Sequence, residues 1–370
     1  MTPVAEMETR LPEQRHAVMA RPAEPAGRRR RGWRPWLSMV WWLAGAVVAV
    51  IAVRAALPEI RDGLAAVSRA HVGLLVAAVI CEVVALATLP LTFRTALQLL
   101  GGRIGYGAAL DGTLGAFALS RVVPAGGLAG GLYTARRFTL AGNAAAVAAA
   151  AVTVASGITR LMLGVGVVGG AVLEVATGRG SGSLAWTMGA FLVALVALSA
   201  AFVGVLRTPA RLDRVCAGVG RLLRRPEQAE LVRRHLTQIA PGLAHPQGLA
   251  RVTGWSAVNW VLQLLALWIV FAAFGVAMPV GVLILGFGAA HLMTALPHTP
   301  GGLGVVEAGM TATYVAMGVP VGTAVVGVLC YRLLGHWLPV AAALPLVVPQ
   351  LRRSARISAG RRAQLHGSGR

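Results

Sequence analysis

From Ala295 to Pro339 the chain reads ALPHTPGGLGVVEAGMTATYVAMGVPVGTAVVGVLCYRLLGHWLP. The first part belongs to an apolar block, 281 to 318, that Pro297, Pro300, Gly301 and Gly302 interrupt, and residues of these types end or kink a helix. From 320 to 349 the apolar residues continue with a single arginine, Arg332, near the middle. Such a run suits a hydrocarbon core of roughly 30 Å crossed at about 1.5 Å per helical residue. A broken apolar block followed by a long apolar span carrying a mid-span cation is the pattern on which the fold turns.

The same pattern occurs once more upstream. A broken block from 105 to about 135 contains Pro124-Ala125-Gly126-Gly127-Leu128, and the long apolar run 143 to 173 that follows carries Arg160 near its middle. Arg160 stands thirty-two residues after Leu128, and Arg332 stands twenty-nine after Leu303. With 46 glycines in the chain the Gly-Gly-Leu tripeptide alone is a weak signal; the matched arginines make it a stronger one. Further apolar runs lie at 36 to 57, 71 to 93, 184 to 206 and 251 to 274. With 56% hydrophobic residues, 13% charged ones and a mean hydropathy of +0.71, the fold class expected is an all-α integral membrane protein.

The net charge of +21 does not mark a nucleic-acid binder, because its distribution is that of a membrane protein. Every basic residue is Arg: eight lie in 1 to 35, nine in 207 to 251 and six in 352 to 370. The segments 54 to 70 and 174 to 183 hold Arg54, Arg61, Arg69 and Arg179 against Glu59, Asp62 and Glu174, so they are placed outside and the Arg-rich segments inside. Starting the N-terminus inside gives six full spans, with both broken blocks dipping into the membrane and returning to the side they left. The two halves then match in inverted order, a sequence pointer to transporters with a site near the midplane. Residues 1 to 35 read as a disordered cytoplasmic arm, 36 to 350 as the membrane domain and 351 to 370 as a basic cytoplasmic tail. Within 207 to 250, Leu212, Val215, Val219 and Leu222 share a helical face and Pro226 suits the start of a second helix, so two amphipathic helices on the inner leaflet are expected. Docking of a partner there is the sharper alternative.

A mid-membrane Arg costs at least roughly 2.5 to 3.5 kcal/mol on insertion scales, so Arg160 and Arg332 need a reason. Either they face a substrate or they form buried ion pairs, with Glu82 or Glu307, that lock the halves together. A Pro-Gly-Gly break exposes backbone N–H groups and a positive helix end, which suits a phosphate, and Arg adds a planar two-pronged donor. The candidate substrate-binding set is therefore Arg160, Arg332, Gly126, Gly127, Pro300, Gly301, Gly302 and Glu307. The glycines have close helix packing as their plain alternative. Glu307 stays open between a helix-capping carboxylate, a structural partner of Arg332 and a protonatable coupling group. Asp111 and Arg121 flank the first break and are expected at the inner leaflet, and Glu82 in a buried ion pair. His291, His298 and His336 lack metal-ligand spacing and read as satisfied polar residues, while Cys81, Cys216 and Cys330 form no metal or disulfide pattern.

Residues Ala295 to Pro339 closely resemble the C-terminal signature of the lysylphosphatidylglycerol synthase transmembrane region, also called the flippase-like domain family, through Pro-x-x-Pro-Gly-Gly-x-Gly-x-x-Glu and the later Tyr-Arg-Leu. The first half, Arg121 to Arg160, is similar to the family's Pro-x-Gly-Gly block followed by an Arg. The resemblance covers about residues 36 to 350 and implies lipid translocation. Larger relatives, the bacterial multiple peptide resistance factors, join this domain to a cytoplasmic aminoacyl transferase. This chain reaches Arg370 shortly after its last span, so a domain that moves a lipid without lysinylating one is expected. Thr159 stands where many members have Glu, and Arg121 and Leu128 where some have Asn and Glu, so the resemblance leaves the headgroup unspecified.

The first reading is a transporter, not an enzyme, for a phosphate-bearing lipid: a phospholipid or a polyprenyl-phosphate-linked sugar. A membrane-embedded glycosyl or headgroup transferase is the second, although the outer loops are short and hold no carboxylate or His cluster for acid–base chemistry. A non-transporting scaffold is the third. No cofactor is expected. The partner expected is an anionic membrane lipid rather than nucleic acid, with a second copy of the chain or a separate lipid-synthesising enzyme as further candidates. The sequence carries no nucleotide-binding motif, so energy is expected from gradients or downstream consumption.

Overall fold

A computed structural model describes residues 70–122, 126–178, 208–222, 226–240, 242–294 and 304–340, together with 201, 204, 205, 302 and 343. The arm, the tail and the expected span at 36 to 57 lie outside the described residues, as does nearly all of 184 to 206. No strand occurs among the described residues, and ten helices do: α1 (Val72–Leu99), α2 (Tyr106–Val122), α3 (Gly126–Leu140), α4 (Ala145–Ala176), α5 (Pro209–Leu222), α6 (Pro226–Ile239), α7 (Pro246–Ala273), α8 (Val280–Thr294), α9 (Val305–Ala316) and α10 (Val321–Arg332). A π-helical turn, Leu333–Trp337, extends α10. Among the described residues, four helices are long and apolar enough to cross a membrane: α1, α4, α7 and α10 with its extension to Val340.

Local chemistry accounts for these elements. The N-terminal half of α4 is nearly all Ala and Val, and Ala has the highest helix propensity. Pro90 sits inside α1 and removes a backbone donor. The carbonyl it leaves without a donor is that of Leu86, and the carbonyls on either side accept side chains: Ala85 O from Thr88 Oγ1 at 2.7 Å and Asn259 Nδ2 at 2.6 Å, and Ala87 O from the Tyr106 hydroxyl at 2.8 Å. Polar side chains and neighbouring helices around a proline help it stay within a span.

Each broken block folds as a helix, an interruption and a second helix packed back on the first. Both hairpins use the same contact. Gly115 of α2 lies under the Tyr133 ring of α3, and Gly286 of α8 lies under the Tyr314 ring of α9. A Cβ at Gly130 would sit 2.7 Å from Ala116 O, so the α2–α3 backbones are in contact, and Thr134 Oγ1 donates to Gly112 O at 3.1 Å across the same interface. Small residues that let backbones approach are the usual basis of helix association in lipid.

The long helices set the register of the halves. The His71 amide donates to Ala273 O at 3.0 Å, and Gly248 lies against Leu99, so α1 and α7 run antiparallel along their whole length. α4 and α8 are also antiparallel, with Glu174 over Gly281 and Val167 over Gly288. Glu174, expected in an outer loop, is instead inside α4 and 1% exposed, because the helix continues to Ala176. The largest buried cluster joins α7, α8, α9 and α10 through Phe271, Phe287, Met310 and Tyr314.

The segment 208–240 does form two helices, and Pro226 opens the second. They do not simply lie on a lipid surface. Leu212, Cys216 and Ile239 are buried against Ala96 of α1, Val154 and Ala155 of α4 and Val252 of α7, while Val215 remains 47% exposed. Leu212 and Cys216 are thus spent on the bundle, while Arg211, Arg214 and Arg234 stay exposed.

Candidate functional site

Three buried polar side chains, Glu82, Arg332 and His336, meet where α10 joins the two hairpins. Arg332 is 6% exposed and its Nε donates to Glu307 Oε1 at 2.7 Å. The other Glu307 oxygen accepts from the Gly304 amide at 2.8 Å. Glu307 is the third residue of α9 and Gly304 its N-cap, so one carboxylate caps the helix and neutralises the arginine. Two of the three roles left open for Glu307 are thus met at once. Gly302 and Gly304 have φ of 71° and 80°, a left-handed backbone that costs an ordinary L residue roughly 1–2 kcal/mol. That requirement alone explains glycine at both positions.

Arg332 Nη1 also approaches His336 Nδ1 at 2.8 Å, and Arg121 Nη1 approaches the same atom at 2.5 Å. A nitrogen that accepts from two guanidinium groups must present its lone pair, so this network assigns His336 as neutral with its proton on Nε2. That Nε2 is buried and has no hydrogen-bond partner among the described residues. The Arg121 guanidinium also lies over the Phe117 ring, 4.5 Å from its centroid. Glu82, 7% exposed in α1, stands within electrostatic reach of Arg121 with Tyr331 as its hydrogen-bonding neighbour, and its Oε1 presses on Gly335, where a Cβ would come within 2.6 Å. The π-helical turn containing Gly335 and His336 widens α10 at this point, a distortion common at functional sites.

Arg160 approaches from the other side. It is exposed on α4 and makes no hydrogen bond or ion pair among the described residues. The antiparallel register with α8 carries it to the end of that helix, where the second interruption begins. His291 of α8 is within electrostatic reach of Arg121, Arg160 and Arg332 together. The preceding turn of α4 is pinned by α7: Trp260 Nε1 donates to Thr159 O at 2.9 Å, and the Trp260 ring meets His291 edge-on, with centroids 4.9 Å apart.

The structure therefore brings together Arg332, Glu307, Arg121, His336 and Glu82, with Arg160 at the rim. Gly126 opens α3, and Gly127 is exposed with nothing within 4 Å of an added Cβ. Pro300 and Gly301, like His298, lie outside the described residues. Arg121 corrects the sequence reading, which put it at the inner leaflet beside Asp111. Asp111 pairs with Arg137 across the α2–α3 hairpin, near the opposite end of α2 from Arg121. His336 was read as an incidental polar residue, yet it stands four residues after Arg332, on the same helical face. Glu82 is buried as expected, but no carboxylate–guanidinium contact to it is found among the described residues.

Comparison with known proteins gives these residues a family. Residues 41–343 match the family described as Lysylphosphatidylglycerol synthase TM region. The chain belongs to this family. A relative, a UPF0104 membrane protein of Methanothermobacter thermautotrophicus, is 35% identical over 86 residues, covering 23% of this chain and 26% of that protein. This member of the Lysylphosphatidylglycerol synthase TM region family is accordingly a membrane protein, and the buried Arg–His–Glu assembly lies within the matched residues.

Proposed function

We propose that this protein is a flippase-like transporter that carries a phosphate-bearing lipid headgroup across the cytoplasmic membrane, without chemical change to the lipid. One observation carries the reading: Arg121 and Arg332, from opposite halves, meet at His336 beside Glu82 and Glu307, and Arg160 stands within electrostatic reach of the same centre through His291. Three cations against two anions leave the centre one positive charge in excess, and a headgroup phosphate supplies the missing negative charge. The cation left over is Arg160, which is exposed and so stands open to an incoming anion.

The architecture supports movement of that headgroup. The antiparallel pairing of α1 and α7, the first long helix of each half, is what inverted repeats require. The hairpin helices have 17, 15, 15 and 12 residues, short of the roughly 20 that cross a bilayer, so they suit re-entrant elements whose inner ends meet a polar centre. On this reading six spans surround them and both termini face the cytoplasm. Arg332 is committed to Glu307 and positions the second hairpin. Arg160 and Arg121 are the headgroup donors, with the His336 Nε2–H as a further one. Gly126, Gly127 and Gly302 border the interruptions; Pro300 and Gly301 are proposed binding residues on the sequence pattern alone.

The test is a substitution series at Arg160 in proteoliposomes. Lys keeps the charge but loses the planar fork, so Arg160→Lys should impair lipid movement nearly as much as Arg160→Ala. Full rescue by Lys in a normally folded protein contradicts the phosphate-clamp role.

A further inference from the structure

At the other end of α2 from Arg121, where α1 ends and α2 begins, a cleft of about 610 Å³ opens. Arg94 and Gln98, about one turn apart on α1, line one side, and Arg103, Gly105 and Ala108 line another. No acidic residue lines it among the described residues. The Arg94 Nε is buried and has no hydrogen-bond partner among the described residues. Arg94 as a whole is partly exposed where it lines the cleft, and its guanidinium carries further N–H donors besides Nε.

The loop that carries Arg103 is held in place. Its amide donates to Asn143 Oδ1 at 2.9 Å, and Asn143 Nδ2 donates to Arg103 O at 2.9 Å and Phe138 O at 3.0 Å. The first amide of α2 to bond back along the helix is that of Ala109, to Gly105 O at 3.1 Å, so the amides of the first turn are free of helix bonds at the cleft. No acidic residue occupies that turn. Two arginines, a side-chain amide and the positive end of a 17-residue helix thus surround one fixed space. The volume falls within the roughly 300–1,000 Å³ typical of small-molecule sites and exceeds what a bare phosphate fills.

We infer that this cleft is a second anion site, which binds the phosphate of a phospholipid headgroup or of a free phosphate compound at the membrane surface. The assignment goes beyond the transport reading and does not depend on it, since it concerns binding alone.

Phenylglyoxal modification of the full chain in detergent micelles, mapped residue by residue by mass spectrometry, tests it. One arm adds dihexanoylphosphatidylglycerol and another inorganic phosphate. At a ligand concentration ten times Kd, modification of Arg94 and Arg103 should slow by about tenfold, because only the unoccupied fraction reacts. Arg136, exposed on α3, serves as the control and should react at its usual rate. Protection by the lipid but not by phosphate identifies a headgroup site, and protection by both identifies a site for phosphate as such. Gly105→Glu places a carboxylate in the cleft, and a Cβ there meets nothing within 4 Å, so the variant should fold normally and lose the protection. If Arg94 and Arg103 react equally fast with and without either ligand, or if Gly105→Glu leaves protection intact, the cleft is not an anion site.

Discussion

Removing the charge of Glu307 should destabilise the second hairpin, and the loss should be largely recovered when Arg332 is removed with it. Glu307 is the 2.7 Å partner of an arginine that is 6% exposed, and it caps α9 through its second oxygen. Glu307→Gln keeps an acceptor for the Gly304 amide, so the cap survives and the loss falls on the ion pair. An uncompensated buried charge typically costs about 3–5 kcal/mol. Because His336 still accepts from Arg332 at 2.8 Å, the expected loss is near the lower end, about 3 kcal/mol. Arg332→Leu should cost a similar amount by leaving Glu307 charged. In the double variant neither ion remains, so it should cost only about 1 kcal/mol, and single losses of about 3 kcal/mol each then give a coupling energy of about 5 kcal/mol, much of it the penalty of the stranded partner charge. Equilibrium unfolding of all four proteins in mixed micelles measures it. Strictly additive losses, with coupling under about 0.5 kcal/mol, would show that the pair does not hold the hairpin. If Glu307 instead couples transport to protons, Glu307→Gln should remove the pH dependence of lipid movement even where stability is restored by the second substitution.

Three other outcomes follow from particular contacts. Gly286→Ala should cost about 1–3 kcal/mol by driving a methyl into the Tyr314 ring, whereas Gly254→Ala, with nothing within 4 Å, should cost nothing; equal melting temperatures contradict the packing described. Leu212→Ala should release α5 from the bundle, since Leu212 is 2% exposed, and maleimide labelling of Cys216 should accelerate by at least about tenfold, which corresponds to about 1.4 kcal/mol of docking energy; an unchanged rate means the helix is held elsewhere. In a cysteine-free background, Thr177→Cys should label from outside and Thr237→Cys only after permeabilisation; external labelling of Thr237→Cys overturns the inverted arrangement.

The long helices were legible because continuous apolar runs of span length admit few alternatives. The runs at 71 to 93, 143 to 173 and 251 to 274 correspond to α1, α4 and α7 within a few residues. The interruptions were legible from Pro and Gly, and the Arg332–Glu307 pair from the need of a mid-membrane cation for a counter-ion. Arg121 was misplaced because it was grouped with Asp111 as flanking the first break, whereas α2 separates the two and carries Arg121 to His336. His336 itself was hidden by its ordinary neutrality: only the four-residue spacing from Arg332 marked it, and that spacing has meaning once Arg332 is known to be buried. The cleft beside Arg94 needed the fold, because Asn143, forty residues along the chain from Arg103, sets the loop.

The most direct test of transport through the polar centre is the rate at which labelled lipids change leaflets in liposomes containing the purified protein. A panel of fluorescent phosphatidylglycerol, phosphatidylethanolamine and a polyprenyl-phosphate-linked sugar covers the headgroup classes. At least one should exchange faster than in protein-free liposomes, and Arg160→Gln, folded to wild-type stability, should return it to the protein-free rate. Exchange at the protein-free rate for the whole panel, or undiminished exchange in Arg160→Gln, contradicts the account.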